Sequence, residues 1–195
     1  DKGFDKCQLV AHSELPTKHG IMPVDISCNG VDNRLDTYVN WKINRKERFE
    51  GALDLSTLFS RNEDNSLAVN LDINPSQLVF NDSVWTINQA HIEYAYKNIT
   101  VENFDARHAD QFITLSGKAS PSPTDSLCLN LRNVSLDYIF QTLQINQVNI
   151  GGDATGIFYA RNLFSKQPIA YTPLLKVKGI SYNGAVFGDA DLVAH

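Results

Sequence analysis

Paired cysteines are missing from this chain. Its 3 cysteines, Cys7, Cys28 and Cys128, lie far apart with no CxxC pair, which excludes a full disulfide framework. Cys28 and Cys128 fall within strand-like patterns, so a plain buried thiol is their expected role. Long apolar runs are missing too. No stretch approaches the roughly 18 residues of a membrane-spanning helix, and no signal-peptide pattern opens the chain. Positive charge is sparse: the net charge is −5. The basic cluster Asn44-Arg45-Lys46-Glu47-Arg48 is short and interrupted by an acid, and it reads as a solvated turn. Nucleic acid needs a broad positive face and is therefore not an expected partner. What remains is ordinary folded protein, 43% hydrophobic and 20% charged over 195 residues, enough to bury a real core. Asp1 and His195 fall in mid-pattern, so the chain is expected to be a piece of something longer.

Reactive constellations are missing as well. Of the 5 histidines (His12, His19, His91, His108, His195), none stands at suggestive spacing from a cysteine, and no serine sits in GxSxG. The densest metal candidate, Asp105-Ala-Arg-His108-Ala-Asp110, matches no recognised ligand motif, and Arg107 competes for its carboxylates; a polar turn is the better reading. His91 is expected to point to water beside Glu93. Gly151-Gly152-Asp153-Ala154-Thr155-Gly156 lacks the Lys-Ser/Thr of a P-loop and the spacing of a dinucleotide fingerprint, so its glycines read as a hairpin or bulge. Three sequons, at Asn81, Asn98 and Asn133, read as chance matches. No enzymatic activity, cofactor or metal is expected.

What the sequence does have is alternation. Met22, Val24, Ile26 and Cys28 alternate with polar residues, as do Leu35, Thr37, Val39, Trp41 and Ile43, and then Leu67, Val69, Leu71 and Ile73. The period continues through Ile92-Tyr94-Tyr96, Ile113-Leu115, Leu127-Leu129-Leu131, Leu175-Val177 and Val186-Gly188-Ala190-Leu192. A period of two over short runs is the mark of strands with one dry and one wet face. Turn signals separate them at Asn29-Gly30, Asn62 to Asn65, Asn74-Pro75, Asn81-Asp82-Ser83, Ser120 to Asp125, Gly151-Gly152 and Asn183-Gly184. The expected fold class is all-β, mostly antiparallel, with roughly twelve to fourteen strands. Two places depart from the period. Leu136, Ile139, Phe140 and Leu143 stand at helical spacing and predict a short helix near residues 134–143. Leu55 to Phe59 predicts a single helical turn.

A sheet this large, dry on one face, must close into a barrel, pack as a sandwich or curl into a trough, and periodicity alone does not choose. Tyr38, Tyr94, Tyr96, Tyr159, Tyr171 and Tyr182 supply aromatics that could stack on sugars, so a β-sandwich carbohydrate-binding or adhesion module is one alternative.

One stretch adds a further clue. Pro75-Ser76-Gln77-Leu78-Val79-Phe80-Asn81-Asp82-Ser83-Val84-Trp85-Thr86-Ile87 resembles a segment of the TamB-like proteins of Bacteroidetes, in the AsmA-like superfamily, in which Pro-Ser-x-aliphatic leads through a polar turn to Trp-x-aliphatic. Further similar elements follow in order. They are Ile99-Thr-Val101-x-x-Phe104 before Gln111-Phe-Ile113-Thr-Leu-Ser-Gly117, Leu129-x-Leu131-x-x-Val134-x-Leu136-x-x-Ile139, Gly152-x-x-x-Gly156 before Ile157-Phe158-Tyr159, and Leu175-x-Val177 leading to Phe187-Gly188-Asp189-Ala190. The resemblance covers residues 65–195. Residues 1–64 share only the strand pattern and are expected to be leading strands of the same continuous unit.

The resemblance implies an internal segment of a long, inner-membrane-anchored periplasmic protein. Its curved sheet would form an open, taco-like trough with an apolar lining. That lining would shield phospholipid acyl chains between the two membranes and support outer-membrane biogenesis, with an Omp85-type partner engaged through parts outside this chain. On this reading Leu67, Val69, Leu71, Ile73, Leu78, Phe80, Ile92, Tyr94, Ile113, Leu115, Leu127, Leu129 and Leu131 line the groove. Trp85 has no assigned face, because a one-residue register slip would reverse it. Unpaired edges of an open sheet are expected to support edge-mediated self-association of the fragment.

Overall fold

The computed structural model describes residues 4–17, 20–43, 49–80, 83–136, 150–165 and 167–194. Among these the chain runs through fourteen strands. The first seven are β1 (Phe4–Thr17), β2 (Gly20–Asp32), β3 (Arg34–Ile43), β4 (Phe49–Arg61), β5 (Leu67–Ile73), β6 (Ser76–Phe80) and β7 (Ser83–Ile87). The second seven are β8 (Ala90–Ala95), β9 (Asn98–His108), β10 (Gln111–Ala119), β11 (Ser126–Ser135), β12 (Ile150–Arg161), β13 (Ile169–Tyr182) and β14 (Ala185–Ala194). They form one antiparallel sheet in the order β1-β2-β3-β4-β5-β8-β9-β10-β11-β12-β13-β14, with β6 beside β4 and β7 beside β9. The all-β reading is therefore correct. The chain divides into two compact units, Asp1–Ala106 and Arg107–His195. Residues 64 and 65 fall in the turn between β4 and β5, inside the first unit.

Three expectations from periodicity change. The short helix near 134–143 is not seen: Val134 and Ser135 close β11, and residues 137–143 lie outside the described residues. Leu55 to Phe59 is not a helical turn but the middle of β4. Leu55 pairs with Thr37 and Ile73, and Thr57 with Leu35 and Leu71, so two neighbouring strands hold this run extended. Asn29-Gly30 is not a turn but lies in β2, where Gly30 is paired with Cys7 on one side and Leu35 on the other. The basic cluster 44–48 and the tip residues Asn81 and Asp82 lie outside the described residues, as do His19 and His195. All three thiols are free, but Cys7 is exposed and Cys28 and Cys128 are only half-buried.

The Asn183-Gly184 turn stands where the sequence puts it, but Gly151-Gly152, also expected to separate two strands, lies inside β12. Asn183 and Gly184 take φ of 50° and 83° between Tyr182 and Ala185, the two left-handed positions of a type I′ hairpin. Gly152, with φ of 126°, sits at a register shift in β12 and is a bulge.

The first unit contains a less ordinary feature. β4 pairs through Leu55–Arg61 with β5 and through Phe49–Ala52 with β6. Ile73 faces Ala90 and Ser76 faces Ile87, so the pairing of β5 with β8 and of β6 with β7 keeps a single register. The four strands are thus one long hairpin with a shared interruption at Asn74-Pro75 and Asn88-Gln89. Against β4, the hairpin carries one extra residue at this point, between Ile73 opposite Leu55 and Gln77 opposite Ala52. Pro75 has no N–H to give a ladder and therefore suits the break. The freed groups are satisfied locally. Asn74 N donates to Asp54 O (2.8 Å), the Ser76 hydroxyl donates to Asn74 O (2.8 Å) and accepts from Asp54 N (3.3 Å), and Asn88 N donates to Asp105 O (2.9 Å).

Candidate functional site

Directly opposed residues of antiparallel strands share a face, so register converts alternation into surfaces. In the first unit one row runs Leu35–Thr57–Leu71–Ile92–Val101 across β3, β4, β5, β8 and β9. Parallel to it run Thr37–Leu55–Ile73–Ala90 and Phe59–Val69–Tyr94–Ile99. Toward β1 the same face carries Ala11–Ile26–Val39–Leu53, and across the kinked hairpin Trp41–Gly51–Leu78–Trp85. One enclosed cluster on this face is Met22, Val24 and Ile43, packed by Ile26, Val39, Trp41 and Phe49, and Trp85, Ile87, Ala90 and Val101 on the same face are buried as well. Most of the remaining face, including Leu53, Leu55, Val69, Leu71, Ile73 and Ile92, is half-buried, and Leu67 and Tyr94 are exposed. Among the described residues, the strand pairs of this unit with extensive mutual contact are sheet neighbours. Of the residues singled out from sequence, Leu67, Val69, Leu71, Ile73, Leu78, Ile92 and Tyr94 share this face. Phe80 occupies the register position opposite Phe49. Trp85 belongs to the face as well, 3% exposed opposite Leu78.

The second unit repeats the pattern. Ile113–Leu131–Gly156–Leu175–Leu192 crosses β10 to β14, flanked by Leu115–Leu129–Phe158 and by Leu127–Ala160. Ile113, Leu115, Leu127, Leu129 and Leu131 therefore share one face of this unit. Its tightest part is the row Val134–Ala154–Val177, where Val134 is 0% and Val177 2% exposed. Gly156 lets β13 approach: a Cβ there would stand 2.5 Å from Leu174 O and 2.9 Å from Leu175 Cα.

The opposite faces are largely polar, though Leu58 and Val84 stand exposed on the first unit's and Leu174 on the second's. In the first unit the row Asp36–Ser56–Asp72–His91–Glu102 alternates with the apolar rows. Asp36 accepts hydrogen bonds from Ser56 Oγ (2.7 Å) and Arg34 Nε (2.9 Å), which together hold its carboxyl below the usual range. His91 does more than face water. Its Nδ1 lies 2.7 Å from Asp72 Oδ1 and its Nε2 3.4 Å from Glu93 Oε1, and the Asp72 hydrogen bond is the main cause of its raised pKa. His12, 2.7 Å from Asp25, is raised in the same way. Lys42 Nζ is 3.4 Å from Glu50 Oε2. In the second unit Tyr159 and Tyr171 stack at 5.1 Å on the polar face, with the Arg161 guanidinium 5.1 Å from the Tyr171 ring.

The metal candidate does not assemble. Asp105 receives Asn88 Nδ2 at 3.2 Å in the first unit, whereas Asp110 accepts from Asn133 Nδ2 at 2.7 Å in the second. Among the described residues no three His, Cys, Asp or Glu side chains gather as a metal site requires. No described helix is long and apolar enough to cross a membrane.

One concave place escaped the sequence. On the polar face above the Pro75 break, Tyr38, Ala52, Asp54, Pro75, Ser76, Gln77 and Thr86 line an open depression of about 400 Å3. Its residues come from β3, β4, β6, β7 and the Pro75 break, so no local motif announces it.

No known protein family, curated protein or solved structure matches this chain.

Proposed function

We propose that this chain is a non-enzymatic segment of a TamB-like, periplasm-spanning lipid conduit, and that its apolar faces are the lining on which phospholipid acyl chains travel. One observation carries the reading. In each unit the long apolar side chains of successive strands stand on one face, and over much of that face they remain half-buried (Leu71, Ile73 and Leu129 among them). A face of this kind suits a mobile apolar cargo, because each CH2 of an acyl chain gains about 0.8 kcal/mol on leaving water. Head groups stay solvated at the margin and require no dedicated catalytic or charged residue. The open trough is the shape this function calls for. β1 and β14, at the two ends of the strand order, are where further strands of a longer protein or a second copy would add. An Omp85-type partner and the inner-membrane anchor belong to parts outside this chain.

Native mass spectrometry of the protein after incubation with diacyl phospholipid vesicles tests the proposal. Bound intact phospholipid in near-stoichiometric amount supports it. A spectrum of lipid-free protein under conditions where the fold is retained overturns it.

A further inference from the structure

The depression on the polar face of the first unit is built by side-chain size and by the Pro75 break. Ala52 provides its floor: it pairs with Asn40 on one side and Gln77 on the other, and its single methyl leaves the centre of the face low. Taller side chains rise around it. Tyr38 stands opposite Asp54 across β3 and β4, and Gln77 opposite Thr86 across β6 and β7. Tyr38 is 46% exposed, so its ring offers an accessible apolar face.

The backbone groups of Asp54 and Asn74 at the break are met without the rim side chains. Asp54 N, Asp54 O and Asn74 O and N are satisfied through Ser76 and one another. The side chains of Tyr38, Asp54, Gln77 and Thr86 take no part in that network. They converge on the depression as a phenol, a carboxylate acceptor, an amide that both donates and accepts, and a hydroxyl.

We infer that this depression is a binding site for a neutral saccharide. The chemistry selects that class. A pyranose presents an apolar C–H face that lies on an aromatic ring, and a rim of vicinal hydroxyls that donate to a carboxylate and exchange hydrogen bonds with an amide and a hydroxyl. The volume of about 400 Å3 falls within the range of small-ligand sites and accommodates one or two sugar rings. A phosphate or other anion is disfavoured by Asp54. An apolar ligand would strip water from four polar groups without replacing their hydrogen bonds. The site lies on the face opposite the proposed acyl-chain lining, so each reading can fail while the other stands.

The test is NMR titration of the isotopically labelled chain with a panel of neutral methyl glycosides and disaccharides, following the Tyr38 ring and the Gln77 side-chain amide. The expected result is saturable movement of both signals by at least one saccharide. Tyr38→Ala is expected to weaken that binding at least about tenfold. Gln77→Ala, at an exposed position, tests the same contact where Tyr38→Ala compromises folding, and Ala52→Leu is expected to abolish binding by filling the floor. The inference is overturned by no saturation across the panel, or by binding indifferent to all three changes. It is equally overturned by saturation that moves Tyr159 and Tyr171 instead, or by a cyclohexylammonium probe that fills the site where no saccharide does.

Discussion

Gly51 lies beneath the indole of Trp41. A Cβ built on Gly51 would stand 2.5 Å from Trp41 Cζ2 and 2.7 Å from Leu78 Cδ2. Glycine in a strand leaves a gap in the side-chain row, and here the ring of the opposed tryptophan and the leucine from the other side close over it. Replacing Gly51 by Val forces both large side chains off their seat. The expected cost is about 1–3 kcal/mol, which at this chain length lowers Tm by several degrees. Thermal unfolding followed by circular dichroism measures it; an unchanged Tm would mean the row is not packed as described.

Gly156 is the sterner case. The atoms nearest its missing Cβ are Leu174 O at 2.5 Å and Leu175 Cα at 2.9 Å, both backbone, so relief requires moving β13 itself. Side-chain ends, as at Gly51, can rotate away. Gly156→Ala is therefore expected to destabilise the protein more than Gly51→Ala. Paired urea titrations rank the two variants directly, and the reverse order contradicts the geometry.

The strands were legible because alternation needs only a two-residue period, and burial of one face enforces it. Alternation alone puts Leu67, Val69, Leu71 and Ile73 on a common face, and the register places them there. The failures arise where the period is ambiguous or the information is not local. Leu55, Leu58 and Phe59 satisfy helical spacing, while Leu53, Leu55 and Phe59 satisfy alternation; the flanking rows, Leu35 with Thr37 and Leu71 with Ile73, decide for strand. Asn29-Gly30 carries a turn signature, yet strand pairing on both sides overrides it. Pro75 marks a break, but nothing in the sequence says that the chain resumes in the same hairpin register beyond it. The face of Trp85 depends on its register with Leu78, which no local pattern fixes. The saccharide depression was the least legible feature, since Tyr38, Ala52, Gln77 and Thr86 become neighbours only through pairing of four strands.

His91 supplies a pH signature. Hydrogen bonding to Asp72, then to Glu93, raises its pKa above the ordinary 6.5. Raised folded-state pKa means the protonated form is favoured by folding. The stabilisation is fully present below about pH 6.5, so long as the carboxylates stay ionised, and is lost as pH rises through the folded-state value. The His91 proton signals are expected to titrate above the ordinary value, and Asp72→Asn is expected to lower that midpoint. Wild type should exceed His91→Gln in stability by more at pH 6 than at pH 8. A midpoint unmoved by Asp72→Asn would remove the hydrogen bond from the explanation.

The lipid reading makes a face-specific demand. Val69 and Leu129 sit on the apolar faces of the two units, while Asn70 and Asn130, one residue on, sit on the polar ones. A carboxylate at Val69 or Leu129 would have to stay hydrated in the middle of a dry surface, which repels acyl chains locally whether or not it weakens the sheet. Val69→Asp and Leu129→Asp are therefore expected to reduce bound phospholipid by about tenfold in affinity. The same operation one position away is the control. Asn70→Lys places a cation opposite Glu93, and Asn130→Asp adds a charge between Thr114 and Ile157 on the polar side; both should load lipid as wild type does. Native mass spectrometry of all four variants, each first shown to keep its β-sheet spectrum, separates the possibilities. If folded Val69→Asp and Leu129→Asp bind phospholipid undiminished, or if the polar-face controls lose it equally, these faces are not where acyl chains lie.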